Sequence, residues 1–371
     1  MRFGQCVFAA LIALAGASCA GPAMQTRSAV ELPTQMPDVG ADEIATEKRR
    51  QQVFALQSFS QQTARVQNVA HRLLVANRSD CKNVITPRPG FSAFARNELS
   101  ASSRDIIGEA LNLDTERATV VSVVEGGPAA KAGLLPGDVL LTFNGVQIPS
   151  FKPSQWVAAQ THRNGNAPIR LETLRQGKPH TRTVQPEMGC AIPVFVAPTV
   201  QANASTDGRR IVIHAGVLRL APTDAELAAV LAHELAHVTM GHLAKRAQVR
   251  AAAVGGFMFG GDPAGAADAN SGYPQGIAQF RAFTIETERE ADYVGTYYVA
   301  RAGYDLGGGE RVWRALAQEN PRQIIFAGMH PTGPERVLLI QKTVQEIAEK
   351  KRRKLPLDPE IRARQAAGTD Q

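Results

Sequence analysis

Residues 227–238 read LAAVLAHELAHV, and this stretch decides the fold of the second half of the chain. It places His233 and His237 four positions apart, with Glu234 directly after the first histidine. Residues four apart share one face of a helix, so both imidazoles can point at a single metal ion. Glu234 lies about 100° round the helix from His233, within reach of a water molecule beside that ion. The pattern therefore predicts a helix that supplies two metal ligands and a general base.

The hydrophobic periodicity predicts one continuous helix over residues 222–245. Thr223 suits its N-cap, and Glu226 three residues later completes a capping box. His242 lies five residues after His237, about 140° round such a helix. We therefore expect a structural role for His242 and no contact with the metal.

A second predicted helix supplies the missing ligand, because a catalytic zinc takes three protein ligands and keeps one position open. Glu288 and Asp292 are four residues apart on it and share a face. We expect Glu288 to bind the metal and Asp292 to accept a hydrogen bond from a ligand histidine. Glu286 and Glu290 are expected to face solvent.

Residues 125–145 read EGGPAAKAGLLPGDVLLTFNG. A short helical turn ends at Gly133, a tight turn follows, and Asn144-Gly145 marks a β-hairpin. This ordered series resembles a PDZ domain, which binds an extended peptide at a sheet edge.

Five segments in order resemble the HtpX-like and BepA-like zinc metallopeptidases, relatives of the CAAX prenyl proteases. The segments are VQANA (residues 200–204), GRRIVI (208–213), the histidine helix (227–238), EREAD (288–292) and HPTGPER (330–336). The resemblance implies an α+β chain, with a mostly helical zincin-type metallopeptidase domain and a small sheet, and with the PDZ-like β-rich domain inserted.

The resemblance also implies one Zn²⁺ per chain and two further site residues. His330 becomes the candidate for a ligand that plugs the zinc in a resting state. Arg336 is expected nearby, where it would stabilise the substrate or the oxyanion. The strand near residues 210–214 is expected to be the sheet edge that holds the substrate backbone.

The domain layout follows from these assignments. We predict a signal peptide at 1–19, a linker at 20–41, the metallopeptidase domain at 42–95 and 190–350, the PDZ-like domain at 96–189, and a flexible tail at 351–371.

The first twenty residues predict export, because a short basic region precedes an apolar core too short to span a membrane. Cleavage after Ala17 and a lipoprotein signal with lipidation at Cys19 both fit the sequence. Cys81 and Cys190 then remain in an oxidising compartment, where one disulfide between them is the favoured interpretation. Two separate buried thiols are the alternative.

Composition narrows the partners. A net charge of +7 is spread along 371 residues, and no nucleic-acid-binding module accompanies it. No segment after the signal has the roughly 20 apolar residues of a membrane span. We expect peptide or unfolded protein substrates, no nucleic acid, and membrane association only through a lipid anchor.

The sequence thus predicts a zinc metalloendopeptidase of a bacterial envelope, in the periplasm or anchored as a lipoprotein. Its substrates would be misfolded or mistargeted envelope proteins, recruited by the PDZ-like domain. The alternative is a chaperone-like or adaptor protein that binds peptides and whose zinc site is latent. The oligomeric state is open.

Overall fold

A computed structural model describes residues 37–82, 84–113, 115–249, 273–319, 321 and 333–360. The predicted signal peptide, Cys19 and His330 lie outside the described residues, as do most of the predicted linker and part of the predicted tail. The chain divides into two units, Met1–Glu47 and Lys48–Gln371. All strands and all candidate site residues discussed below belong to the second unit.

The helices of the described residues follow the predicted order. They are α1 (Ala41–Ala76), α2 (Arg104–Leu111), α3 (Pro128–Lys131), α4 (Pro153–Asn164), α5 (Ala215–Leu220), α6 (Asp224–Thr239), α7 (242–249), α8 (Tyr273–Arg301), α9 (Gly307–Glu319) and α10 (Gly333–Arg352).

The strands of the described residues form three sheets. They are β1 (Ile85–Arg88), β2 (Phe91–Phe94), β3 (Thr119–Val123), β4 (Val139–Phe143), β5 (Val146–Gln147), β6 (Ile169–Arg175), β7 (Lys178–Val184), β8 (Glu187–Cys190), β9 (Val194–Ala197), β10 (Ala204–Thr206) and β11 (Ile211–His214). The sheet orders are β1-β8, β10-β11-β9, and β2-β3-β4-β6-β7 with β5 paired to β4.

Helix α6 is the centre of the helical domain. It begins at the predicted capping box, where Glu226 Oε2 accepts hydrogen bonds from Thr223 N at 2.8 Å and from Thr223 Oγ1 at 2.9 Å. Its apolar residues are buried with those of α1, α8 and α9 in one core. A helix that is apolar nearly all round is stable only inside such a core.

Two glycines let neighbouring helices approach α6 closely. A Cβ at Gly295 of α8 would lie 3.1 Å from the backbone of Ala232, and one at Gly308 of α9 would lie 2.5 Å from that of Ala225. Side chains at these positions would push both helices away from α6. The glycines therefore set the distance between the histidines of α6 and the acidic residues of α8.

The PDZ-like unit has its own apolar core. Its sheet begins at Phe91 rather than at residue 96, because β2 pairs antiparallel with β3 across the start of the unit. Gly133 has φ +76° after the short α3. Asn144 and Gly145 have φ +51° and +81°, which matches the predicted hairpin turn between β4 and β5.

The two connections to this unit pair with each other. β1 enters it and β8 leaves it, and the strands are antiparallel with Ile85 opposite Cys190. Cys81 and Cys190 form a disulfide with their Cα atoms 5.6 Å apart. His71 of α1 contacts Glu187 of β8 through Nε2 at 2.9 Å. The entry and exit strands are thus fixed to the helical domain at one point.

The described start of the predicted tail packs against α8. Arg301 donates to Leu357 O at 2.8 Å and to Asp358 Oδ1 at 2.5 Å. Residues 353–360 therefore run back along the helical domain.

The predicted fold class is confirmed: the chain is α+β, with a helical domain around a small sheet and a separate β-rich unit. None of the helices in the described ranges combines the length and apolar character needed to cross a bilayer.

Candidate metal centre

Three buried groups from two helices converge at the centre of the helical domain. His233 Nε2 and His237 Nε2 of α6 are 3.0 Å apart. The Glu288 carboxylate of α8 lies 3.3 Å from His233 Nε2 and 3.4 Å from His237 Nε2. Among the residues that the structure describes, these three are the group whose spacing suits a metal ion.

The spacing fits zinc. A tetrahedral zinc ion with ligand bonds of about 2.0–2.1 Å holds its donor atoms about 3.3 Å apart. The three distances here are 3.0, 3.3 and 3.4 Å. Two imidazoles and one carboxylate are also the ligand set of a catalytic zinc, which keeps a fourth position open.

Asp292 orients His233 from the side away from the three groups. Its Oδ1 lies 2.9 Å from His233 Nδ1. Arg336 of α10 donates to both carboxylate oxygens, at 2.8 and 2.6 Å, and its guanidinium lies 3.6 Å from the ring of Trp313. Burial would raise the pKa of Asp292, but Arg336 and His233 outweigh it and lower that pKa. Asp292 therefore remains a charged acceptor.

Proton positions on the two histidines leave both Nε2 atoms for a cation. His233 Nδ1 carries the proton that Asp292 accepts. Burial opposes a second proton, but hydrogen bonds to Asp292 and Glu288 raise the pKa of His233 to about 9. Burial, together with His233 nearby, lowers the pKa of His237 to about 4. The site thus favours positive charge at His233 Nε2 beside a neutral His237, which suits a metal ion.

The helix break after α6 changes the expected position of His242. Gly241 has φ +67°, so α6 ends at Thr239 and α7 starts in a new direction. The predicted continuous helix to residue 245 is therefore wrong. His242 turns back, and its Nδ1 lies 2.9 Å from His237 Nδ1. Its Nε2 lies 3.0 Å from Glu290 Oε2, so Glu290 points into the domain and the prediction that it is solvated is also wrong.

A cleft of about 490 Å³ opens onto the three groups. His233, Glu234 and Glu288 line one side, and residues 200–204 line another. Glu234 is 8% exposed. The site therefore presents a buried carboxylate beside the ligand cluster, in a space that a peptide segment can enter.

Comparison with known families assigns both parts of the chain. Residues 185–344 match the model for peptidase family M48, and residues 105–185 match the model for the PDZ domain. The chain carries an M48 peptidase domain and a PDZ domain. The family resemblance predicted from the sequence is thereby confirmed.

Curated relatives match over parts of their length. The beta-barrel assembly-enhancing protease of Escherichia coli strain K12 is 33% identical over 108 residues, 26% of this chain and 22% of that protein. The mitochondrial metalloendopeptidase OMA1 of Schizosaccharomyces pombe is 27% identical over 151 residues, 39% of this chain and 44% of that protein. The periplasmic pH-dependent serine endoprotease DegQ of Escherichia coli is 35% identical over 91 residues, 24% of this chain and 19% of that protein. The chain thus matches less than half the length of each.

Within the M48 domain, the structure brings together most of the predicted site residues. His233, His237, Glu288, Asp292 and Arg336 lie within one network of contacts. Arg336 reaches it through Asp292, with its Nη2 also 3.3 Å from His233 Nδ1.

The predicted substrate-binding edge of the M48 sheet is wrong. β11 is the central strand, because β10 pairs with it on one side and β9 on the other. A turn at Gly208, with φ +84°, folds β10 back onto β11. The outer strand next to the cleft is therefore β10.

Three contacts in the M48 domain had no counterpart in the sequence reasoning. His242 and Glu290 form the chain of contacts to His237, and Arg246 Nη2 donates to Glu288 Oε1 at 2.6 Å. The signal that pointed to them was Gly241, since a glycine at a helix end often adopts a left-handed conformation and redirects the chain.

Proposed function

We propose that this chain is a zinc-dependent endopeptidase of a bacterial cell envelope. The observation that carries the proposal is the approach of His233, His237 and Glu288 to within 3.0–3.4 Å of one another, in a cleft that Glu234 also lines. One zinc ion per chain would be held by the two imidazoles and the carboxylate. The fourth position would remain open towards the cleft.

The chemistry divides between the ion and the chain. A bound zinc ion would polarise the scissile carbonyl and acidify a water molecule. The Glu234 carboxylate would take a proton from the attacking water and deliver it to the nitrogen of the leaving amine. Asp292 would hold the Nδ1 proton of His233, so that Nε2 of this ring keeps its lone pair for the ion.

Arg336 fits a positioning role better than a direct role at the oxyanion. Its guanidinium gives two hydrogen bonds to Asp292 and stacks on Trp313. These contacts stabilise the charged form of Asp292 and thereby the orientation of His233. Arg336 would therefore act on the reaction through these two residues.

The substrate would be an extended peptide segment. Residues 200–204 lead into β10, the outer strand beside the cleft, which can hold a peptide backbone by strand addition. The PDZ domain would recruit chain ends of unfolded or mistargeted envelope proteins. The name of the Escherichia coli relative, a beta-barrel assembly-enhancing protease, supports substrates of this class.

The proposed location is the bacterial periplasm. The N-terminal sequence predicts export, and the Escherichia coli serine endoprotease that the chain resembles is named as periplasmic. Lipidation of Cys19 would add a membrane anchor. His330 would be the ligand that closes the zinc site at rest.

The proposal is tested with the mature protein, its Glu234→Gln variant and the matched control Glu286→Gln, which alters an exposed carboxylate of α8. Zinc content and cleavage of an unfolded envelope protein are measured for each. We expect one zinc per chain in all three. We expect cleavage to fall by about 10²–10⁴-fold only in Glu234→Gln, because general acid–base catalysis contributes that much.

Two results would reject the proposal. Absence of zinc from the wild-type protein would remove the metal site. Zinc binding and peptide binding without cleavage, also in His330→Ala, would support the alternative of a peptide-binding adaptor whose zinc site is latent.

A further inference from the structure

A buried chain of contacts runs from His237 to a carboxylate on α8. His242 Nδ1 lies 2.9 Å from His237 Nδ1, and His242 Nε2 lies 3.0 Å from Glu290 Oε2. The side chain of His242 is fully buried, and that of Glu290 is 17% exposed. Both ring nitrogens of His242 are therefore engaged inside the domain.

The contacts fix one arrangement of protons. Glu290 as a carboxylate accepts, so His242 carries its proton on Nε2 and presents a lone pair at Nδ1. That lone pair accepts the Nδ1 proton of His237. Nε2 of His237 is then left with its lone pair, facing His233 Nε2 at 3.0 Å and the Glu288 carboxylate at 3.4 Å.

The backbone is built to allow this contact. On a continuous helix, His242 would lie about 140° away from His237. Gly241, with φ +67°, ends the helix and turns α7 so that the ring of His242 lies against that of His237, with ring centroids 4.9 Å apart.

We propose that His242, held by Glu290, is a positioning residue that fixes the tautomer and ring orientation of the metal ligand His237. The inference rests on the proposed zinc site and deepens it. His233 is held by a carboxylate directly, through Asp292. His237 is held by a carboxylate through one intervening imidazole. Each ligand imidazole thus has its own support on α8, and the two are independent.

The test measures zinc affinity by competition with a chromophoric chelator at one fixed pH, on the full mature protein. His242→Ala is expected to weaken zinc binding by about 10–100-fold, the usual effect of losing a hydrogen-bond partner of a metal ligand. His242→Asn is expected to retain most of the affinity, because its amide oxygen can still accept the Nδ1 proton of His237. Glu286→Gln, on the same helix but exposed, is the control and should bind zinc like the wild type.

A second comparison tests the chain of contacts itself. Because Glu290 acts through His242, adding Glu290→Gln to His242→Ala should cause no further loss of zinc affinity, whereas Glu290→Gln alone should weaken binding. Thermal unfolding of the metal-free variants separates a general loss of stability, which would affect Asn and Ala alike, from a loss of positioning.

The outcomes are distinct. Zinc affinity of His242→Ala within about twofold of the wild type, or equal losses in His242→Asn and His242→Ala, overturns the positioning role while leaving the zinc site intact. If the wild-type protein binds no zinc, the proposed function fails, and this inference fails with it.

Discussion

Asp292 connects two charged partners at the residue scale. It accepts from His233 Nδ1 on one side and from Arg336 on the other, and its carboxylate is buried. Asp292→Asn removes the charge that favours the Nδ1 proton of His233. We expect zinc affinity to fall by about 10–100-fold, measured by chelator competition. Wild-type affinity in this variant would contradict the role assigned to Asp292.

Arg336 gives a prediction about stability. Removing one partner of a buried ion pair leaves the other charge uncompensated, which costs about 3–5 kcal/mol. Arg336→Leu should therefore lower the free energy of unfolding of the metal-free protein by about this amount, measured by denaturant titration. Arg314→Leu is the matched control, because Arg314 forms a half-exposed pair with Glu310 and should cost about 1 kcal/mol or less. Equal losses in both variants would argue against a structural role for the Arg336 contact.

At the residue scale, the sequence predicted the groups that bear the chemistry. Four-residue spacing on helices placed His233 with His237 and Glu288 with Asp292, because helix geometry is local. The spacing did not reveal that Arg336 binds Asp292, since that contact joins residues on different helices. The role of each residue in binding zinc stays a prediction.

Gly241 carries the prediction at the element scale. Its φ of +67° costs a non-glycine residue about 1–2 kcal/mol. Gly241→Ala should therefore lower the free energy of unfolding by about that amount and weaken zinc binding, because α7 carries His242. Gly241→Asn should be affected less, since asparagine tolerates the left-handed region.

The comparison of the two Gly241 variants is informative because a Cβ at this position meets no atom within 4 Å. Steric crowding therefore explains neither loss. Unfolding by denaturant and chelator competition are measured on both variants. An alanine variant with wild-type stability and zinc affinity would show that the break does not hold His242.

Elements were predictable where the signal was local. The Thr223 and Glu226 capping box marked the start of α6, and the left-handed Asn144-Gly145 turn marked the hairpin in the PDZ domain. The end of α6 was missed because the apolar periodicity continues past Gly241. The order of the small sheet was missed because strand neighbours depend on long-range pairing, which periodicity does not encode.

The disulfide is the feature to test at the scale of the whole molecule. Cys81 and Cys190 are 109 residues apart in sequence and close the two connections of the PDZ domain. A cross-link over a loop of this length stabilises by about 4–5 kcal/mol through the unfolded state. The Cys81→Ala, Cys190→Ala double variant should lose about this free energy of unfolding, with reduced wild-type protein as the matched comparison.

Equal stability of the oxidised protein and the double variant would contradict this account of the disulfide. A smaller loss is expected for binding of peptides to the PDZ domain, since its own core is separate from that of the M48 domain. Unfolding and peptide affinity measured on the same samples distinguish the two effects.

The domain organisation was predictable because each part carries its own local pattern, the histidine helix in one and the turn series in the other. How the two parts contact each other was not, since Glu125 N donating to Asn68 Oδ1 at 3.2 Å joins residues that show no common pattern.

The central claim is that His233, His237 and Glu288 bind one zinc ion, and anomalous X-ray diffraction from crystals of the zinc-loaded protein tests it most directly. We predict one zinc peak per chain, bonded at about 2.0–2.2 Å to Nε2 of both histidines and to the Glu288 carboxylate. A peak at other residues, or no peak between these three side chains at saturating zinc, would contradict the account.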